Sequence, residues 1–191
     1  MTAGSPAVSA VRSPEAEVLA LRPFLEADLP FLERLDTDPD ALGPYEWAGF
    51  TDARARRRRW ETDGYVGAKS TALAVVSSDD TVLGIASWEA RTRGGQIGGC
   101  YEIGLALLPE HRGRGYGTTA QRLLIQHLLR YTPANRLEAQ TDAENLAEQT
   151  ALERIGFRRE GLLRGVRFRH GKWRDMAIYG LLRDEVTIPL E

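Results

Sequence analysis

The sequence predicts a mixed α/β (α+β) domain, with one sheet of about seven strands flanked by helices. Three observations carry this. Apolar periodicity alternates along the chain in the order β-α-α-β-β-β-α-β-α-β-β. A strand, a glycine-rich loop and a helix follow one another at mid-chain. The 191 residues are enough for one domain with a sizeable core. Residues 1–17 are small, polar and contain prolines, so they read as a mobile tail. The domain is expected over residues 18–191, with neither repeat nor internal linker.

Each element has a local reason. "VLALRPF" reads as a short strand. "EADLPFLERLD" reads as a helix, with Leu29, Leu32 and Leu35 at helical spacing and Pro30 in the first turn. "TDPDALGPYEWAGF" is punctuated by prolines and glycines and reads as a loop, and "TDARARRRRWETDGY" as a second helix. "TALAVVSS" and "TVLGIASWEA" flank Asp79-Asp80 as a hairpin, and "GCYEIGLALL" is the third central strand. In "TTAQRLLIQHLLRY", Ala120, Leu123, Leu124 and Leu128 share a helix face, while Gln121, Arg122 and Arg130 are expected to point away. Pro133 stops that helix. "RLEAQT" is a strand, and "NLAEQTALERI" is a helix that ends at Gly156. "FRREGLLRGVRFR" and "KWRDMAIYGLL" form a closing hairpin across His170-Gly171.

Composition excludes several functions. Hydrophobic residues make up 42% and charged residues 27%, and the net charge is −2. No global field attracts nucleic acid or an acidic membrane. No apolar run approaches the roughly 20 residues of a membrane helix. The N-terminus lacks the basic start and apolar block of a signal peptide. The lone Cys100 excludes an internal disulfide and fits a reducing cytoplasm. His111, His127 and His170 are far apart and hold no metal-ligand spacing with it, so no metal is expected.

The chemistry concentrates in "PEHRGRGYG", residues 109–117. A strand entering a glycine-rich turn and then a helix suits a phosphate, because the helix N-terminus offers backbone N–H groups and a positive dipole end. Glycines let the backbone approach an anion, and Arg112 and Arg114 add charge. A mononucleotide loop would end in Gly-Lys-Ser/Thr, and no lysine is present. A dinucleotide site would carry G-x-G-x-x-G near the start of repeated βαβ units, whereas Gly113, Gly115 and Gly117 sit mid-chain before a single crossover.

Arg112-Gly113-Arg114-Gly115-Tyr116-Gly117 resembles the Arg/Gln-x-x-Gly-x-Gly/Ala signature of the GNAT superfamily of acetyl-CoA-dependent N-acetyltransferases. "LALLPEHRGRGYG" has the apolar strand and proline at that family's spacing. "NLAEQTALERIGFRREG" resembles the family's next motif, an Asn opening a helix that ends in Gly-Phe. "GKWRDMAIYGLLRDE" looks like the closing strand of the branch that includes ribosomal-protein N-terminal acetyltransferases. The resemblance runs from about Val18 to Glu185. It implies a sheet that splays at its central strands. It also implies that the amides of Arg112, Gly113, Arg114, Gly115, Tyr116, Gly117 and Thr118 cradle the CoA pyrophosphate. Backbone groups of Leu107 and Leu108 would pair with the pantetheine arm, near Asn145. By its own sequence context Asn145 also forms a capping box with Glu148.

Acetyl transfer needs a neutral amine, a stabilised oxyanion and a departing thiol. Glu102 is the candidate base. Tyr101, Ile103, Leu105 and Leu107 alternate on one strand face, leaving Glu102, Gly104 and Ala106 on the other. Two small residues beside a carboxylate leave room for a ligand, and glutamates on this strand often act as base in the family. The family's tyrosine acid has its counterpart at Leu152, with Thr150 as a weak substitute. Glu46 and Trp47, beside Tyr45, fall where the resembling branch forms its acceptor pocket. Trp173 and Asp175 would line the other side, with core packing an equal reading for Trp173. The arginines at positions 54, 56, 57, 58 and 59 read as a solvated helix face, or as a site for an acidic acceptor or an acidic partner.

The expected function is direct transfer of an acetyl group to a primary amine of a small molecule or protein N-terminus. The expected setting is cytoplasmic, as monomer or homodimer, without a metal. The competing readings are a non-catalytic acyl-CoA-binding module and a nucleotide-binding domain.

Overall fold

A computed structural model describes residues 19–47, 49–52, 54–93 and 99–187. The tail read at residues 1–17 lies outside them. The order is β1 (Ala20–Arg22), α1 (Leu29–Thr37), α2 (Pro39–Leu42), α3 (Arg54–Asp63), β2 (Ser70–Val76), β3 (Val82–Ala90), β4 (Cys100–Leu107), α4 (Tyr116–Tyr131), β5 (Arg136–Asp142), α5 (Leu146–Arg154), β6 (Arg158–Arg169) and β7 (Lys172–Leu182). The strands form one mixed sheet in the order β1-β2-β3-β4-β5-β7-β6. Only β4 and β5 are parallel neighbours, and α4 is the crossover between them.

One departure from expectation lies in the loop after α1, which contains the short helix α2. Pro39 pre-sets its first turn, and the Asp38 side chain caps it by accepting from the Asp40 amide at 3.0 Å. A second lies on α4. Gln121, expected to point outward, is 2% exposed, because its amide bonds Glu148 of α5. Arg122 and Arg130 do face solvent.

The sheet separates two cores. On one face α4 and α5 bury Leu124, Ile125, Leu128, Leu152 and Ile155 against Ile103, Leu137, Ala139 and Tyr179. On the other, α1 and α2 pack Leu29, Leu32, Leu35 and Ala41 against Ala72, Ala74 and Val76. The second core covers the β2–β3 side and leaves the face of β4 and β5 around Glu102 open to the site.

The end of β5 is tied down by charge. Asp142, 1% exposed, accepts from Arg169 Nη2 at 2.6 Å and from the Glu144 amide at 2.9 Å. Burial alone would raise its pKa, but the Glu144 amide and the Arg169 guanidinium outweigh it and hold the carboxyl below the usual range. A depressed folded-state pKa stabilises the fold above the unfolded value and loses that contribution as pH falls through the folded value. Asp142→Asn leaves the Arg169 charge buried beside Pro44 and Tyr45, and a loss of about 3 kcal/mol is expected in urea denaturation at neutral pH. The gap between mutant and parent should shrink as pH falls through the lowered Asp142 pKa, where the parent carboxyl becomes neutral as well.

Candidate active site

Strands β4 and β5 pair for only three residues: Cys100 with Arg136, Tyr101 with Leu137 and Glu102 with Glu138. Beyond that, β4 stays registered with β3 as far as Leu107, opposite Gly84. Meanwhile β5 stays registered with β7 as far as Asp142, opposite Met176. The two strands therefore part in a wedge that leaves residues 103–107 and 139–142 with no strand between them. Gly84 is needed for the first half of this arrangement, because a Cβ there would lie 2.3 Å from the Ala106 carbonyl oxygen. Without it β4 could not follow β3 away from β5.

The glycine loop sits at the open end of the wedge. Gly113 and Gly115 hold positive φ values of 74° and 84°, and neither has a heavy atom within 4 Å of its would-be Cβ. Backbone conformation, not crowding, demands glycine there. Gly115 is the N-cap of α4 and supplies no capping side chain, so the helix presents its first turn toward the loop. The charge distribution differs from the expectation. Arg112 turns back into the fold, donating Nε to the Leu107 carbonyl at 2.8 Å and Nη2 to the Ala41 carbonyl at 2.6 Å. It braces the loop on α2, while Arg114 is exposed. The Leu108 amide donates to the Leu83 carbonyl at 3.0 Å, which fixes the strand's exit into the loop. Asn145 caps α5, its Oδ1 accepting from the Glu148 amide at 3.3 Å while its Nδ2 donates to Thr141 Oγ1 at 3.2 Å. The expected reciprocal half of the box is missing: the Glu148 carboxylate takes Gln121 and the Asn145 amide donates to the Asp142 carbonyl.

Glu102 stands where the strands begin to part. Arg91 Nε donates to its Oε2 at 2.9 Å and Gln140 Nε2 to the same oxygen at 3.2 Å. Oε1 accepts no hydrogen bond from the described residues. Its neighbour in register, Glu138, is a poor alternative base. That side chain is 5% exposed and clamped by Arg93 at 2.6 Å and Arg136 at 2.8 Å. Burial opposes its ionisation, but the two guanidiniums prevail and hold it below the ordinary glutamate range. A cavity of about 270 Å³ opens beside Glu102, lined among others by Arg59, Ser70, Ser87, Glu89, Arg91 and Gly104. A side chain at position 104 would approach Ser87 Oγ to 3.0 Å and fill part of it.

A strap roofs the same sheet face. Glu46 is held by Arg167 in a two-pronged ion pair at 2.7 and 3.1 Å, and Arg169 donates to the Pro44 carbonyl while its guanidinium lies 5.3 Å from the Tyr45 ring centroid. The 43–47 loop is thereby fixed to the β6–β7 hairpin. Trp47 stacks edge-on against Phe50 at 5.4 Å. Trp173 and Asp175 do not join this group. Register places them on the α4–α5 face, in phase with Ala177 and Tyr179. Trp173 is 66% exposed beside Phe168, so core packing does not describe it. Asp175 accepts from the Gly165 amide at 2.8 Å and holds the bulge of the hairpin.

The arginines of α3 separate by role. Arg56 is bidentate to Asp36 at 2.9 Å, Arg57 reaches Glu33 at 3.3 Å and Arg58 reaches Asp52 at 2.7 Å. These bind the helix to its surroundings. Arg59 alone reaches the cavity, its Nη2 donating to Ser70 Oγ at 3.0 Å and its guanidinium 4.4 Å from the Tyr65 ring centroid. Sequence reasoning missed Arg91, Gln140 and the special place of Arg59. Arg91 follows the hairpin strand, and its pairing with Glu102 was recoverable only from the β3–β4 register.

The comparisons agree with this geometry. The model of the "Acetyltransferase (GNAT) domain" family matches residues 19–158. An uncharacterized N-acetyltransferase, p20, of Bacillus licheniformis is 27% identical over 172 residues, covering 88% of this chain and 95% of its own. Mycobacterium smegmatis RimJ in complex with CoA-disulfide superposes with a TM-score of 0.74 at 23% identity, covering 91% of this chain and 86% of its own. Spermidine N-acetyltransferase from Vibrio cholerae in complex with CoA and spermine gives 0.73 at 19% identity, covering 87% and 96%. Among the described residues there is no group of side chains arranged to hold a metal ion, and no helix is long and apolar enough to cross a membrane. A strand wedge, a glycine loop opening a helix at its mouth, and a family match across most of the chain converge: the protein belongs to the GNAT acetyltransferase family and is an acyltransferase that uses acetyl-CoA as co-substrate.

Proposed function

We propose that the protein acetylates the primary amine of a small molecule or a protein N-terminus in the cytoplasm, with Glu102 as the base and an acceptor that is not a polycation. The observation that carries this is the position of Glu102 at the last paired step before the wedge opens, with Oε1 uncommitted and Gly104 leaving room beside it. The acetyl donor runs along the wedge with its pyrophosphate against the loop of residues 112–118 and its pantetheine arm beside the edge of β4 ending at Leu107. Asn145 borders that arm from the N-terminus of α5.

The amine enters from the cavity and gives a proton to Glu102 as it attacks the acetyl carbonyl. Arg91 and Gln140, both on Oε2, fix the carboxylate so that the other oxygen meets the amine. Transfer is direct. Cys100 is buried and its thiol is pushed up by desolvation, which disfavours the thiolate that a covalent route needs.

The cavity walls select the acceptor's charge. Arg59 and Arg91 offset Glu89 and Glu102, so the cavity has no net negative charge to hold a polyamine. Glu46 and Trp47 shape the entrance from the strap. Trp173 and Asp175 border the wedge from its other face, where they support the hairpin.

A screen of amines with acetyl-CoA, following free thiol, should find turnover with singly charged or zwitterionic amines and little with spermidine. Glu102→Gln should lower kcat about 10²-fold while the Kd for acetyl-CoA, from calorimetry, stays unchanged. Unchanged turnover in that variant would show that another group is the base. Gly115→Val forces a side chain into the left-handed region, and should abolish most of the thermal stabilisation that CoA gives. Stabilisation of the parent protein by NAD or ATP, but not by CoA, would contradict the assignment of the loop.

A further inference from the structure

The mechanism above lacks a proton donor for the departing thiol. Leu152, the counterpart of the family's tyrosine acid, is 1% exposed inside the core. The Thr150 hydroxyl donates to the Leu146 carbonyl at 2.8 Å on an exposed helix surface. Neither can protonate a sulfur in the wedge.

The topology brings a different group there. Both β4 and β5 run into helices on the same sheet face, and those helices return antiparallel to their strands. The N-terminal turns of α4 and α5 therefore meet above the parted ends of β4 and β5. At that meeting Gln121 Nε2 of α4 donates to Glu148 Oε1 of α5 at 2.6 Å. Glu148 lies one turn before Leu152 and so shares its helix face. Gln121 is 2% exposed, and its Oε1 has no hydrogen-bond partner among the described residues. A buried carbonyl oxygen left open beside the wedge is an acceptor that an amide N–H of the ligand arm would complete.

Burial favours the neutral form of Glu148, and the Glu46 carboxylate of the opposite strap reinforces it, while the Gln121 amide pulls the other way. The net pKa lies above the ordinary glutamate value. The groups facing Glu148 are thus Gln121 from α4 and Glu46 from the strap, the latter paired with Arg167 of β6; on its own helix Asn145 receives the Glu148 amide.

We propose that Glu148 is the general acid that protonates the departing sulfur of acetyl-CoA. This rests on the acetyl-transfer reading above. The amine nitrogen bonds the acetyl carbon, and its proton passes to the Glu102 carboxylate. The carbon–sulfur bond breaks, its electron pair stays on sulfur, and sulfur takes the proton of the Glu148 carboxyl. Exchange with solvent then resets both carboxyl groups, so no oxidant, reductant or further reactant is required.

The test uses the full chain and the best amine from the screen. Glu148→Gln keeps the length of the side chain and a partner for Gln121 but cannot donate to sulfur as an acid. It should lower kcat about 10²-fold and abolish the alkaline limb of the parent kcat–pH profile, with Kd for CoA unchanged. In the free protein, a carbon-detected NMR titration should show the Glu148 carboxyl ionising above the ordinary glutamate range. Parental turnover in Glu148→Gln overturns the proposal, as does lowered turnover that keeps the parental alkaline limb or a normal Glu148 titration. If Glu148→Gln unfolds, Glu148→Asp replaces it. That variant should retain turnover above background with a displaced alkaline limb, and an undisplaced limb overturns the proposal. No thiol release by the parent with any amine overturns the acetyl-transfer reading itself, whereas release by the parent with an indifferent Glu148→Gln overturns only the role of Glu148.

Discussion

The parting of β4 from β5 after three paired residues is the constraint on which the rest of this structure depends. A parallel pair gains from every added ladder bond, so leaving two adjacent strand edges apart must be enforced. Each strand is therefore held on its outer side. Close approach at Gly84 keeps β4 on β3, and continuous register with β7 keeps β5 on the hairpin. The edges of β4 beyond Glu102 and of β5 beyond Glu138 are then left without each other's ladder bonds.

Charge pairs fix the walls of the wedge. Asp142 and Arg169 lock the end of β5 to the hairpin and to the strap at Pro44, and Glu46 with Arg167 closes the same contact further out. Arg112 performs the matching task on the β4 side by joining the Leu107 and Ala41 carbonyls. Buried pairs of this kind contribute less to stability than to a unique geometry, since desolvation consumes much of their attraction. Two arginines that looked like ligand contacts or solvated surface, Arg112 and Arg56, are thus structural ties. Removing their charge should loosen the site before it unfolds the domain.

The carboxylates of the site divide by environment. Glu138 is saturated by guanidiniums and kept ionised, Glu102 keeps one oxygen open, and Glu148 is desolvated opposite another carboxylate. Three glutamates on two faces of one wedge thereby differ in how far their oxygens are committed and how far they are desolvated. Their differences arise from neighbours on other elements, which no single strand or helix encodes.

The sequence by itself determined the order of the elements, the glycine loop with its helix, the face on which Glu102 stands and the family. Those are local properties: apolar period, positive-φ glycines and motif spacing act within a few residues. The short helix α2 and the inward turn of Gln121 were not legible, because one depends on a cap at Asp38 and the other on a partner 27 residues away. Only the tertiary structure decided that Arg59, not Arg57 or Arg58, reaches the cavity, and that Trp173 and Asp175 stand across the sheet from Glu102. It also decided that Glu46 meets Arg167, 121 residues further along the chain. Contacts of that span are set by sheet register and by which edges the wedge leaves apart, and no local period records either.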